Sequence, residues 1–286
     1  MPETQFGWPD GKRVAVIVSV LVETWSEGHS PTYFPRTTPL RQGTTDLAGI
    51  NWSQFGTREG IWRITRVLND CGVKATYTCN GRAAELYPEA IAHVVGSGHE
   101  LAGHGYYQNE LLTYMSPDDE QATIRKSLAA LEQVGGQRPK GWTTNIYGWS
   151  QHTLDFLAQE GIVWCCDALD ASLPYRRQTA HGSVIMIPWS DFVDNRVLRA
   201  SPMDFFTVYK ETFDYLHANE PMGLLHIGFH CHFGGRPMMS AMLHKVLGYL
   251  KGFPDVWFTR HSQVAQWYDS QKIDDPSYAS ARFRSS

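Results

Sequence analysis

Two carboxylates and three imidazoles fall just after short apolar runs: Glu23, His104, Asp167, and His230 with His232. Brought to one cavity, such a set suits general acid–base hydrolysis. Water needs a base or orienting group, the carbonyl oxygen needs a donor, and the leaving atom needs an acid. Polar and aromatic residues follow other runs in the same way: Trp142 with Thr143, Thr144 and Asn145, then Trp189 with Ser190 and Asp191. Structural roles stay open for several of these. Glu23 reads equally as a solvated loop carboxylate, His232 as a satisfied buried histidine, and Trp142 and Trp189 as packing residues. His104 stands between Gly103 and Gly105, where close backbone approach is served, and that favours a working role.

The elements that must position these residues alternate between β-like and helical patterns. Val14 to Val22 is almost unbroken in branched apolar residues, the signature of a strand buried on both faces. Further strands are expected over 73–79, 99–103, near Trp142, and over 162–167, 183–188, 224–230 and 256–259. Helices are expected over 58–69, 87–95, 150–159, 205–218, 241–250 and 262–269. Another starts at Ser116, where a cap residue precedes proline and two acids and Gly135–Gly136 close the run. This is one domain of seven or eight βα units, an α/β barrel with a core over about 10–270 and a polar tail over 271–286. In such barrels chemistry sits at the carboxyl ends of strands, where the residues above fall. The proline-bearing segment after Val22 is too long for a simple βα connection and is expected to cover the mouth or make a subunit contact.

Composition narrows the function classes. The 286 residues are 42% hydrophobic and 19% charged, which fits a folded domain rather than a disordered one. A formal net charge of −4 gives no footprint for nucleic acid or anionic membrane. The longest apolar run is too short to span a bilayer, where about twenty residues are needed. The start, Met1-Pro2-Glu3-Thr4, lacks the basic and apolar regions of a signal peptide. Five cysteines with no Cys-x-x-Cys pair read as buried thiols in a reducing, cytoplasmic compartment.

Several segments together resemble the polysaccharide deacetylase (NodB-homology, carbohydrate esterase 4) superfamily. They are FGTREGIWRI (55–64), GHELAGHGYYQNE (98–110), GWTTN (141–145), CDALDASLPY (166–175), GFHCHFGGRP (228–237) and VWFTRHSQVAQWY (256–268). Within it the chain is most similar to the branch of metal-independent allantoinase and cyclic imide hydrolase. The resemblance implies a distorted (β/α)7-type barrel, the NodB-homology fold. It also implies a base carboxylate followed by a metal carboxylate at the first strand, and a His-x-x-x-His pair. Aligned without a gap, the base position falls on Leu21 and the metal position on Glu23. The second histidine of the pair is replaced by Gln108, and 141–145 lacks the usual Arg and Pro. Asp167 and His230 match the family's orienting acid and general-acid histidine.

Those departures weaken a zinc site. Glu23, His104 and Gln108 would offer only one imidazole, one carboxylate and a neutral amide, where catalytic zinc takes three good ligands and a water. The expectation is therefore no cofactor, or at most a weakly bound divalent metal such as zinc. The activity expected is hydrolysis of a non-peptide C–N bond in a small cyclic amide, imide or ureide. Glu23, His104, Asp167 and His230 would be catalytic. Gln108, Trp142, Asn145, Trp189, His232 and Arg236 would contact substrate, although Arg236 reads equally as a structural salt-bridge residue. Two alternatives stand beside it: an N-deacetylase of amino sugars, and a decayed barrel that only binds a small ligand. A small-molecule substrate and a homo-oligomer (dimer or tetramer) are the expected partners.

Overall fold

The computed structural model describes residues 7–271, so the polar tail expected beyond them lies outside the described residues. Nine strands form one mixed sheet. They are β1 (Val14–Val22), β2 (Thr76–Cys79), β3 (Glu100–Gly103), β4 (Gly141–Trp142), β5 (Trp164–Ala168), β6 (Tyr175–Thr179), β7 (Gly182–Pro188), β8 (Gly223–His230) and β9 (Val256–Thr259). The order is β6-β7-β5-β4-β3-β2-β1-β8, with β9 also pairing β1. All pairings are parallel except the β6–β7 hairpin. One edge of β1 is shared: β2 pairs Ser19–Val22 and β9 pairs Val14–Ile17.

The sheet curls into a half-barrel with helices around it, the form the expected barrel takes here. Both faces of β1 are buried, which explains its unalternating sequence. Val14, Val16, Val18, Val20 and Val22 pack outward among helical residues such as Ile64, Leu68 and Leu243. Ala15, Ile17 and Leu21 pack inward with Trp164, Cys166, Ile185 and Ile187. By the two-residue period of a strand, Ser19 and Glu23 continue the inward row.

The helices are α1 (Leu47–Phe55), α2 (Ile61–Asp70), α3 (Gly81–Leu86), α4 (Pro88–Gly96), α5 (Pro117–Gly135), α6 (Thr153–Gln159), α7 (Pro202–Asn219), α8 (Cys231–Gly234), α9 (Pro237–Leu250) and α10 (His261–Gln271). Helix α5 starts and stops on the residues its sequence advertises: the Ser116 hydroxyl accepts from the Asp119 N–H, and Gly136 takes φ 73°. Three features depart from the sequence reading. A π-helical turn (Gly56–Gly60) joins α1 to α2, so the helix expected from Arg58 begins regularly only at Ile61. Helix α3 was not expected, since six residues leave too little periodicity to read. Strand β6 was missed because Arg176, Arg177 and Gln178 make it polar, as suits an exposed sheet edge.

The sheet order ends at β6 and β8, and the connection after β7 reaches β8 through a backbone bridge from Val193 to Gly228, where a Cβ on Gly228 would lie 2.5 Å from Val193 Cγ1. This tie sets the short 3-10 turn Asp194–Val197 alongside the end of β8.

Candidate active site

Glu23 follows β1, His104 follows β3, His230 ends β8 and His232 lies in the α8 turn. These four come together. Glu23 Oε1 stands 3.6 Å from His104 Nε2 and 3.8 Å from His230 Nε2, and its Oε2 stands 3.6 Å from His232 Nδ1. The side chains of Glu23 and His104 are 1% and 2% exposed, so bulk water does not screen them.

His230 is held from behind by Asp194. Asp194 Oδ1 is 2.5 Å from His230 Nδ1, and its Oδ2 accepts the His230 backbone N–H at 2.9 Å. Burial opposes a charged His230, but Asp194 and Glu23 outweigh it and raise the pKa to about 9. His230 is therefore an imidazolium at neutral pH, and its Nε2–H faces Glu23. Burial likewise disfavours an ionised Glu23, yet His230, His104 and His232 hold its pKa down to about 2. The two shifts report one attraction and are not counted twice. His232, disfavoured as a cation by burial, is lowered to about 3 and is neutral.

His104 donates from Nδ1 to the Thr143 carbonyl at 2.7 Å. With Nδ1 so engaged, Nε2 is the nitrogen turned toward the Glu23 carboxylate, 3.6 Å away. That nitrogen has no hydrogen-bond partner, and Gln108 Oε1 is a buried acceptor also without one. Buried polar atoms left unmatched cost about 1–3 kcal/mol each, so such a gap suits a molecule that supplies donors, such as water.

The orienting acid of His230 corrects the sequence reading: it is Asp194, not Asp167. Asp167 accepts from the Thr144 N–H and hydroxyl and from the Cys165 thiol. It shares a strand face with Cys165, which packs outward against Leu128 and Leu157, whereas Trp164 and Cys166 point inward. Asp194 carried no spacing signal, because its reach to His230 depends on the Val193–Gly228 tie.

Other expected contacts take structural places. Trp142 is fully buried, donates to the Thr144 hydroxyl at 3.2 Å, and lies where a Cβ at Gly103 would come within 2.3 Å of it. Asn145 Nδ2 ties the backbone carbonyls of Tyr107, Gln108 and Glu110. Trp189 leans over His226 at 4.4 Å and lines a seam cavity of about 360 Å³ that none of Glu23, His104 and His230 lines. Arg236 donates to the carbonyls of His232 and Trp52 and lies over Phe55 at 4.4 Å, so it braces the site's wall. Sequence reasoning also missed Tyr33. Its hydroxyl reaches His232 Nε2 at 2.8 Å and Glu23 Oε2 at 3.5 Å from a segment that has no regular structure to read. A cavity of about 470 Å³ borders Glu23, lined also by Trp25, Ser26, Ile50 and Tyr87.

The donors at the mouth do not fit a tight zinc site. Glu23, His104, His230 and His232 do not bring three ligand atoms within 4.8 Å of one another, and Gln108 adds only a neutral amide. Among the described residues, only Cys166, His226 and His261 bring three ligand atoms within 4.8 Å of one another. That cluster lies lower in the half-barrel, and its protons argue against a metal. His226 Nδ1 accepts the Ser190 N–H at 3.1 Å, so its proton sits on Nε2, directed at the Ser19 hydroxyl 2.8 Å away.

Comparison with known proteins agrees with this architecture. The family described as Polysaccharide deacetylase matches residues 53–163. A protein of Pseudomonas aeruginosa PAO1 described as a probable polysaccharide deacetylase superimposes with TM-score 0.82 at 26% identity, over 93% of this chain and 94% of its own. Puue allantoinase superimposes with TM-score 0.83 at 27% identity, over 93% of both chains. The peptidoglycan deacetylase of Helicobacter pylori is 19% identical over 76% of this chain and 86% of its own. The chain shares its fold with this deacetylase and this allantoinase, and its residues 53–163 match the Polysaccharide deacetylase family. Proteins similar to it are thus described as deacetylases and as an allantoinase.

Proposed function

We propose that the protein hydrolyses a C–N bond of a small cyclic amide, such as an imide, hydantoin or ureide. The observation that carries this reading is the Asp194–His230 pair, whose cationic Nε2–H faces an anionic Glu23 beneath a covered mouth. Water held between Glu23 Oε1 and Nε2 of His104 attacks the ring carbonyl. The forming O–C bond sends one water proton to His104 Nε2 and places negative charge on the carbonyl oxygen. His230 then gives its Nε2 proton to the ring nitrogen as the C–N bond breaks, opening the ring to an acid and an amide or urea. Asp194 keeps His230 charged and aimed. Solvent then takes the proton from His104 and returns one to Nε2 of His230, which restores both groups. No step needs a metal, because an imide carbonyl is more reactive than that of a simple acetamide.

The near-complete burial of Glu23 and His104 supports a small substrate over a polymer. The likeness to Puue allantoinase supports a ring amide. All five cysteines are free and buried, which supports a cytoplasmic setting. Among the described residues no helix is long and apolar enough to cross a membrane. A homo-oligomer, dimer or tetramer, belongs to the same reading.

The test is ring opening of succinimide, hydantoin and allantoin by chelator-stripped enzyme, followed by absorbance or chromatography. Turnover that survives stripping is expected. No turnover of any ring, with or without added zinc, would falsify the reading, and release of acetate from N-acetylglucosamine oligomers would mark a sugar deacetylase instead.

A further inference from the structure

The carboxylate of Glu23 has two unlike sides. Oε1 faces His104 and His230, the groups that meet water and leaving nitrogen. Oε2 faces only His232 Nδ1, at 3.6 Å, and the Tyr33 hydroxyl, at 3.5 Å. The same hydroxyl is 2.8 Å from His232 Nε2.

A neutral His232 has one N–H to share between these two contacts. If it sat on Nε2, a bare Nδ1 would face the anionic Oε2. The Tyr33 hydroxyl has one proton for two acceptors, and the 2.8 Å contact to Nε2 is much the shorter; with the proton given there, the His232 proton sits on Nδ1 and points at Oε2, and only the longer 3.5 Å approach of Tyr33 to Oε2 is left without one. The ring is braced for that orientation. Trp25 and Trp52 meet it edge-on at 5.4 and 4.8 Å, and Arg236 grips its carbonyl. Tyr33 arrives from residues 24–46, which contain neither helix nor strand. That segment is anchored by Ser26 on Asn109 and by the Arg199 guanidinium on the Arg36 carbonyl.

We propose that Tyr33 is a positioning residue: through His232 it fixes Oε2 of Glu23, so that Oε1 alone serves the reacting water. The segment over the mouth thereby completes the site as well as covering it. The proposal rests on the roles given above to Glu23, His104 and His230.

The experiment uses the full chain with Tyr33→Phe, which keeps the ring and removes only the hydroxyl. Nitrogen-15 NMR of the histidine rings should show His232 with its proton on Nδ1 in the parent and redistributed toward Nε2 in the variant. On whichever ring the parent opens, kcat should fall roughly 10- to 100-fold with KM changed less than about threefold, the pattern of a lost positioning contact. In a His232→Ala chain the same substitution should cost less than about twofold, since the pair acts as a unit. A parent-like tautomer in Tyr33→Phe overturns the proposal, whatever the rate. A parent-like kcat overturns it too. If the parent opens no ring, the substrate reading fails, while the tautomer measurement still decides the role of Tyr33.

Discussion

Two layers of the same half-barrel use the same residue types to opposite ends. Ser19 lies in β1 and Glu23 one residue past its end, and His226 and His230 both lie in β8, so the same two chain segments supply both layers. In the lower layer every proton has a place. The Ser190 N–H donates to His226, whose Nε2–H donates to Ser19. Ser19 donates to His261 Nε2 at 3.2 Å, His261 Nδ1–H to Thr76 at 2.9 Å, and Thr76 to Glu100 at 2.7 Å. Burial lowers His226 to about 3, so the layer is uncharged at its histidines. The upper layer is as deeply buried but mismatched: an imidazolium, a carboxylate held near pKa 2, and a His104 Nε2 with no hydrogen-bond partner. Burial of a histidine therefore says little about function. An unmatched donor–acceptor set beside a retained charge says much more.

The contrast can be broken by substitution. Removing the acid should have the largest effect: His230→Ala should lower kcat about 100- to 10,000-fold, the usual span for a lost general acid, with steady-state ring opening as the measurement. Glu23→Gln removes the water-orienting anion, and a fall of roughly 100-fold in kcat is expected from loss of one preorganised charge. Asp194→Asn should lower the pKa of His230, because the carboxylate is what raises it. Activity that needs the imidazolium is present below the raised pKa and falls as pH rises through about 9 in the parent. In Asp194→Asn that basic limb should move to lower pH, and an unmoved limb in the pH–rate profile would remove Asp194 from its role. The pair's contribution to stability has the same sign. It is fully present below the ordinary histidine pKa and is lost as pH rises through about 9, which thermal melts at pH 7 and 10 would register.

Smaller effects are expected below and outside the site. His226→Gln should act on stability, by about 1–3 kcal/mol from a broken buried network, with kcat within about threefold of the parent. A denaturant midpoint that falls while activity per folded molecule holds would sharpen the contrast, and a large loss of kcat would dissolve it. Asp167→Asn keeps the size and one acceptor of a side chain on the outer face, so kcat should stay within about twofold. A fall comparable to that of Asp194→Asn would return Asp167 to the chemistry.

Much of the fold was legible because it rests on local signals. The buried run of β1, the Ser116 cap and the glycine stop of α5 are written in consecutive residues. So were Glu23, His104 and His230, because each stands one step beyond or at the end of a recognisable strand. Asp167 was misassigned on the same logic. It too lies near the end of a strand, one residue before the last of β5, but its carboxylate is taken up by the Cys165 thiol and by Thr144 rather than by His230. Tyr33 and Asp194 were illegible, since both lie in connections whose path is set by contacts with distant strands.

The amino-acid sequence alone determined the alternating α/β architecture and the histidines and glutamate at the strand ends. Those follow from periodicity, caps and short motifs, which act over a few residues. Tertiary structure decided which carboxylate serves His230, where the protons of His104, His226 and His232 sit, and which aromatic residues are walls rather than contacts. Those depend on hydrogen-bond partners as much as 207 residues apart, as in His226 and Ser19, and only the folded sheet brings such atoms within reach.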